Sequence, residues 1–188
     1  MTKGFGTEVA RAALDAGLSR LGENRVQEAL PKIEALPGAE WHLVGRLQRN
    51  KVRKAVAAFA LIHSVDSVEL LQRISDEAGD ARPHLLLQVN VTGEPTKAGF
   101  APERLDEALP AIGDRVVGLM TMARHDAEAE EQRRTFAALR VLRDRLQDRA
   151  GIGLPELSMG MSGDAEAAVA EGATLVRIGT AIFGPRPA

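Results

Sequence analysis

The sequence predicts an α/β protein of parallel strands, built either as an open doubly wound sheet or as a closed (β/α)8 barrel of the TIM type. Short apolar or β-branched runs alternate with amphipathic helical stretches from one end of the chain to the other. Seven strands can be read in full. The opening "MTKGFG", set directly before a helix, reads as the end of an eighth whose beginning is missing. Eight β/α units is the number a barrel needs, so the count favours the closed form with its first strand truncated. No linker or low-complexity segment interrupts the series, and residues 1–188 are read as one domain.

Each element has its own local signal. After the stub, "TEVARAALDAG" spaces its apolar residues as a helix does. The strands follow as "SRLG" at 19–22, "WHLVG" at 41–45, "LIHSV" at 61–65, "HLLLQVNV" at 84–91, "VVGLMTM" at 116–122, "ELSMGM" at 156–161 and "TLVRIG" at 174–179. In "HSVDSVELL", Asp66 is set to accept the first helical amides while Glu69 reaches back, a capping box. The long, charge-laced "AEEQRRTFAALRVLRDRLQDRA" supplies the last large helix.

Composition narrows the function classes. Twenty-four Lys and Arg against 26 Asp and Glu leave a formal charge of −2, which gives no global field for nucleic acid or anionic membrane. Any anion site is therefore local. The chain has no cysteine, which excludes disulfides, thiolate nucleophiles and Cys-ligated metals and fits a reducing cytoplasm. No apolar run approaches a membrane span and no signal-peptide pattern opens the chain. There is also no tyrosine.

Barrels of this kind hold phosphate in the loops after the seventh and eighth strands. With the stub counted, "SMGMSGD" follows the seventh strand and "GTAIFG" the eighth. Glycines let backbone N–H groups approach an anion, and the hydroxyls of Ser162 and Thr180 add donors. Either turn alone is an ordinary Gly/Ser turn; the pair in the two expected loops reads as an anion cradle. Arg177, in "LVRIGT", lies on a strand between aliphatic residues. Pointing inward, its guanidinium faces whatever the cradle holds; pointing outward, it is a surface ion-pair partner.

The segments "LGENRVQEAL", "WHLVGRLQRNKV", "IHSVDS", "LLQVNVTGEPTKAGF", "GLMTM" and "LSMGMSGDAEAAVAEGATLVRIGTAIFG" occur in the order of, and resemble, the signatures of the pyridoxal phosphate homeostasis protein family. That family is related to the N-terminal barrel of alanine racemases. The resemblance covers essentially the whole chain and implies that fold here. It also implies that Lys3 carries pyridoxal 5'-phosphate as a reversible aldimine, with Asn24 beside the ring. Ser162, Gly163, Gly179 and Thr180 would hold the phosphate, and Arg177 would meet the pyridine nitrogen. An arginine keeps its proton, so the ring nitrogen would stay unprotonated and the cofactor would be a weaker electron sink. Racemases of related fold add a β-domain carrying a tyrosine base; this chain has no tyrosine, which disfavours a two-base racemase. The implied role is cytoplasmic, non-catalytic cofactor homeostasis by a monomer that supplies apo enzymes transiently, without nucleic acid or membrane. A racemase or lyase using Lys3 with another base, and a cofactor-sensing regulatory module, are the alternatives.

Other residues carry weaker signals. His63, Ser64 and Asp66 resemble a catalytic triad in composition alone, because strand alternation sends His63 and Ser64 to opposite faces. The histidines at 42, 63, 84 and 125 lack metal-ligand spacing, while His42 and Ser64 are placed at the barrel mouth. Arg46, Arg49, Lys51, Arg53 and Lys54 read as a solvated helix face, with no interleaved aromatics for base stacking. Lys97, after the fifth strand, is placed near the site mouth.

Only Met1 and Thr2 precede Lys3, whereas relatives of the resembled family carry a helix and most of a strand there. The expectation is that the functional frame starts further upstream. A chain starting at Met1 would then leave two strand edges unpaired and Lys3 on a loose end.

Overall fold

Strand and helix alternate through the described residues, 1–81 and 83–185 of the computed structural model. Helix α1 (Thr7–Asp15) leads into β1 (Arg20–Glu23), α2 (Val26–Ala35) and β2 (Glu40–Leu43). A 3₁₀ turn at Arg49–Lys51 precedes α3 (Val52–Ala58), β3 (Leu61–Val65), α4 (Val68–Glu77) and β4 (His84–Gln88). A second 3₁₀ helix, Pro102–Ala111, crosses to β5 (Val116–Met120), followed by α5 (Ala129–Ala150) and β6 (Glu156–Met161). The series ends with α6 (Ala165–Ala170), β7 (Leu175–Arg177) and α7 (Thr180–Phe183).

All seven strands are parallel, and each pairs with the next in sequence, from β1 to β7. The sheet curls into a nearly closed barrel whose two edges are bridged by the first residues. Thr2 N–H donates to the Gly22 carbonyl of β1 at 2.9 Å. The Met1 amino group donates to the Ile178 carbonyl, just past β7, at 2.7 Å. The expected loose end is therefore anchored: Thr2 is fully buried.

Alternation along the strands divides the interior. Ile62, Leu85, Leu87, Leu119 and Leu157 pack outward into the main core, which lies between the sheet and helices and includes Leu71, Ile74, Phe136 and Leu139. Leu61, Leu86 and Met120 form a separate small cluster, as expected for side chains of the opposite parity inside the barrel. Helix α5 presents Phe136, Leu139, Leu142 and Leu146 at helical spacing, and Gly151, at φ +66°, ends it in the left-handed conformation.

The strands at 61–65 and 156–161 have the expected bounds, while four others are shorter than expected. Past Gln88 the fifth expected strand keeps one isolated bridge, Val89 to Phe100, because the chain turns at Asn90. The predicted cap also moves by one residue. Ser67, not Asp66, caps α4 by accepting from the Leu70 amide at 3.3 Å, and Asp66 instead pairs with Arg46 at 3.3 Å.

Gly118 allows β5 and β6 to approach, since a Cβ there would lie 1.8 Å from the Glu156 carbonyl oxygen. The neighbour is backbone and cannot swing aside. We expect Gly118→Ala to lower stability by roughly 3 kcal/mol, read as a reduced denaturant midpoint at unchanged slope.

Candidate functional site

The seven expected site residues meet in one cavity. It has a volume of about 980 Å³ and opens where the strands end, and its lining includes Lys3, Asn24, Ser162, Gly163, Arg177, Gly179 and Thr180. Lys3 comes from the stub, Asn24 from the end of β1, Ser162 and Gly163 from the loop after β6, and Gly179 and Thr180 from the start of α7. These segments are distant in sequence and adjacent only because the barrel closes.

The placement of Lys3 depends on a buried ion pair that sequence reasoning missed. Glu23, fully buried, accepts from Lys32 Nζ at 2.7 Å and from Thr2 Oγ1 at 2.6 Å. Lys32 Nζ also donates to the Thr2 carbonyl at 3.0 Å. The residue preceding Lys3 is thus held through its amide, carbonyl and side chain. Phe5 adds a ring contact with Phe183 of α7, centroids 5.6 Å apart. A signal was present in the sequence: a carboxylate on a strand and, nine residues later, a lysine on a helix, each of which needs a partner if buried.

The loops after β6 and β7 are tied together through Ser162. Its Oγ accepts from the backbone N–H groups of Gly179 and Ala181, both at 3.3 Å. Asp164 Oδ1 accepts from Met161 N–H at 2.5 Å and fixes the turn between β6 and α6. A Cβ added at Gly163 would meet no atom of the described residues within 4 Å, so this side of the loop is open. The arrangement presents main-chain N–H groups and hydroxyls at the cavity wall, suited to an anionic group.

Arg177 points inward and is 6% exposed. Its Nη1 donates to Ser158 Oγ at 2.7 Å and its Nη2 to the Thr121 carbonyl at 2.8 Å. Burial lowers its pKa to about 10, which leaves it charged at neutral pH. Lys97 lies at the mouth, paired with Glu94 and donating to the Ala123 carbonyl at 3.0 Å.

Two placements from the sequence are corrected. His42 and Ser64 are not part of the lining of the main cavity. Ser64 Oγ donates to the Gly45 carbonyl at 2.8 Å, tying β3 to the end of β2. His42 turns to a second cavity of about 230 Å³, between β1 and β7, shared with His63 and Arg177. His63 bonds Ser158 Oγ at 2.8 Å and His42 at 3.1 Å, so no triad forms with Ser64 and Asp66. Arg46, Arg49, Arg53 and Lys54 are exposed, as a solvated face requires.

The family model of the alanine racemase N-terminal domain matches residues 3–187. An alanine racemase from Corynebacterium glutamicum shares the fold at a TM-score of 0.80 and 17% identity, covering 100% of this chain and 55% of that one. Curated relatives named pyridoxal phosphate homeostasis protein are far nearer in sequence. That of Aquifex aeolicus is 47% identical over 95% of this chain and 82% of its own length. That of Escherichia coli K12 is 38% identical over 93% and 79%. PipY of Synechococcus elongatus, solved with PLP bound, has a TM-score of 0.90 at 44% identity, covering 97% of this chain and 90% of that one. The chain belongs to the pyridoxal phosphate homeostasis protein family. Among the described residues no helix is long and apolar enough to cross a membrane.

The two inner histidines make stability depend on pH. Burial pushes His63 well below, and His42 below, the ordinary value of 6.5. Unfolded, each takes up a proton below 6.5; folded, each stays neutral to lower pH. The unfolded chain then binds protons in excess, so stability falls as pH drops through 6.5 and levels off only when the folded imidazoles protonate. We expect a loss of roughly 1 kcal/mol per pH unit for each histidine, measured by denaturant melts across that range, and a shallower slope in His63→Asn.

Proposed function

We propose that the protein binds pyridoxal 5'-phosphate in the main cavity and serves cofactor homeostasis, holding the aldehyde reversibly and releasing it to apo enzymes rather than turning over amino acids. The observation that carries this reading is the meeting of Lys3, Arg177 and the two phosphate-type loops in one cavity. Family membership and the PLP-bound PipY structure support it.

The donor set fits the cofactor group by group. Lys3 supplies the primary amine that an aldehyde requires. Ser162, Gly163, Gly179 and Thr180 offer hydroxyl and main-chain donors for a phosphate, with open space at Gly163. Asn24, at the end of β1, lines the wall beside Lys3. Arg177, charged and fixed by Ser158 and Thr121, donates toward the ring nitrogen. Bound pyridoxal phosphate supplies aldehyde chemistry and, through its ring, an electron sink. A permanent donor at the nitrogen keeps that sink weak, which favours storage over carbanion chemistry. The chain has no tyrosine to serve as the second base of a racemase.

Three measurements test this. Borohydride reduction after loading with pyridoxal phosphate is expected to map the adduct to Lys3; an adduct on another lysine with Lys3 unmodified would overturn the assignment. The double variant Ser162→Ala/Thr180→Ala is expected to weaken binding by roughly 1 to 3 kcal/mol for each charge-assisted bond lost. Unchanged affinity would move the cradle elsewhere. Solvent deuterium is expected not to enter the α-carbon of alanine; rapid exchange abolished by Lys3→Ala would establish an enzyme.

A further inference from the structure

An unbroken file of polar side chains crosses the barrel interior from Arg177 to its far rim. Ser158 on β6, His63 on β3, His42 on β2 and Glu40 at the start of β2 follow at 2.7, 2.8, 3.1 and 2.8 Å. Ser158 is fully buried and His63 and His42 nearly so, while the Glu40 side chain is 45% exposed.

The two ends fix the direction of every proton between them. A guanidinium only donates, so Ser158 Oγ accepts from Arg177 and offers its own proton onward. His63 Nδ1 receives it, which leaves the His63 proton on Nε2, pointing at His42 Nδ1. His42 then carries its proton on Nε2 and donates to the Glu40 carboxylate. In the reverse sense, the bare Nε2 of His42 would face an anion and Ser158 would receive two donors. Only one polarity satisfies all five groups.

We infer that Ser158, His63 and His42 are positioning residues for Arg177: a one-way hydrogen-bond relay, anchored by the Glu40 carboxylate, that holds the guanidinium in a single orientation and sets how strongly it donates into the cofactor site. The inference rests on the reading that Arg177 faces the pyridine nitrogen. The relay orients Arg177 because the serine hydroxyl that accepts from Nη1 is itself committed to His63 and cannot rotate to donate elsewhere. It polarises Arg177 because each bond in a chain aligned between a cation and an anion strengthens the next. Protonating His42 would set two N–H groups against each other at the His42–His63 contact, and protonating His63 would reverse the bond to Ser158. The charged and titratable groups acting on that contact are Glu40 on β2, Arg20 on β1, Glu156 on β6 and Arg177 on β7.

The tautomers are read first, on the cofactor-free protein, so that this result does not depend on cofactor binding. Side-chain ¹⁵N NMR at neutral pH is expected to show His42 and His63 both neutral and both protonated at Nε2. A proton on Nδ1 of either would overturn the relay. The spectral readout uses protein loaded with pyridoxal phosphate, whose visible absorption is expected to hold while the two buried imidazoles stay neutral and to change only when the pH falls below their ordinary value of 6.5 and they begin to protonate. Ser158→Ala is expected to lower affinity roughly fivefold to tenfold and shift the absorption maximum. His63→Leu should shift the maximum and abolish the pH response. His63→Asn, which keeps an acceptor near the Nδ1 position, should restore the maximum but not the pH response. Folded His63→Leu with a spectrum matching the parent at every pH would defeat the proposal. If the parent fails to bind pyridoxal phosphate, the cofactor reading falls while the tautomer result still decides the relay.

Discussion

The site depends on the hold that two strand edges take on the first two residues. Seven parallel strands ordered by sequence leave β1 and β7 without partners, and among the described residues Met1 and Thr2 reach both, through Gly22 and Ile178. Hydrogen bonds at a surface terminus ordinarily fray. Here Thr2 is sealed under the Glu23–Lys32 pair, so fraying would strand a buried carboxylate and a buried ammonium together. One Glu23 oxygen, Oε2, has no hydrogen-bond partner among the described residues, so the pair is not fully satisfied and contributes location more than stability. What it locates is Lys3.

The inside of the barrel is likewise divided by chemistry. Leu61, Leu86 and Met120 form a buried apolar cluster. Beside it runs the polar file from Glu40 to Arg177. Polar groups in such a setting are costly unless each has a partner, and strong when all do. The guanidinium therefore reaches the main cavity with two of its nitrogens already committed, to Ser158 and to the Thr121 carbonyl. A charge fixed in this way needs no reorganisation when a ligand arrives.

The strand–helix rhythm was legible because parallel strands buried on both faces read as short apolar runs, of which "LIHSV" is an example. That the loops after β6 and β7 line one cavity was legible because their glycines and hydroxyls fall in the two loops where barrels of this kind gather their ligand contacts. The polar file was not. It depends on which residues of β2, β3 and β6 stand at one level, and the pairing shifts register between Ile62 and Val65 and again between Ser158 and Met161. Alternation shows that His63 and Ser64 take opposite faces; it does not show which face is the inner one or that Ser158, ninety-five residues on, meets His63. The Asp66 cap failed for a local reason: Asp66 and Ser67 are both capable acceptors, and Arg46 takes the carboxylate.

The order of the strands also bears on how the chain reaches its final form. Each strand joins the one before it, so the sheet can grow along the sequence by successive closures of modest length. The contact between Met1 and Ile178 is different in kind, since it closes a loop of 177 residues. Lys3 and Gly179 come to line one cavity only when that contact is made. A molecule gripped by both binds the completed ring and not its precursors, and mass action then draws the population toward closure. Such a ligand would act as the clasp of the fold as well as its cargo.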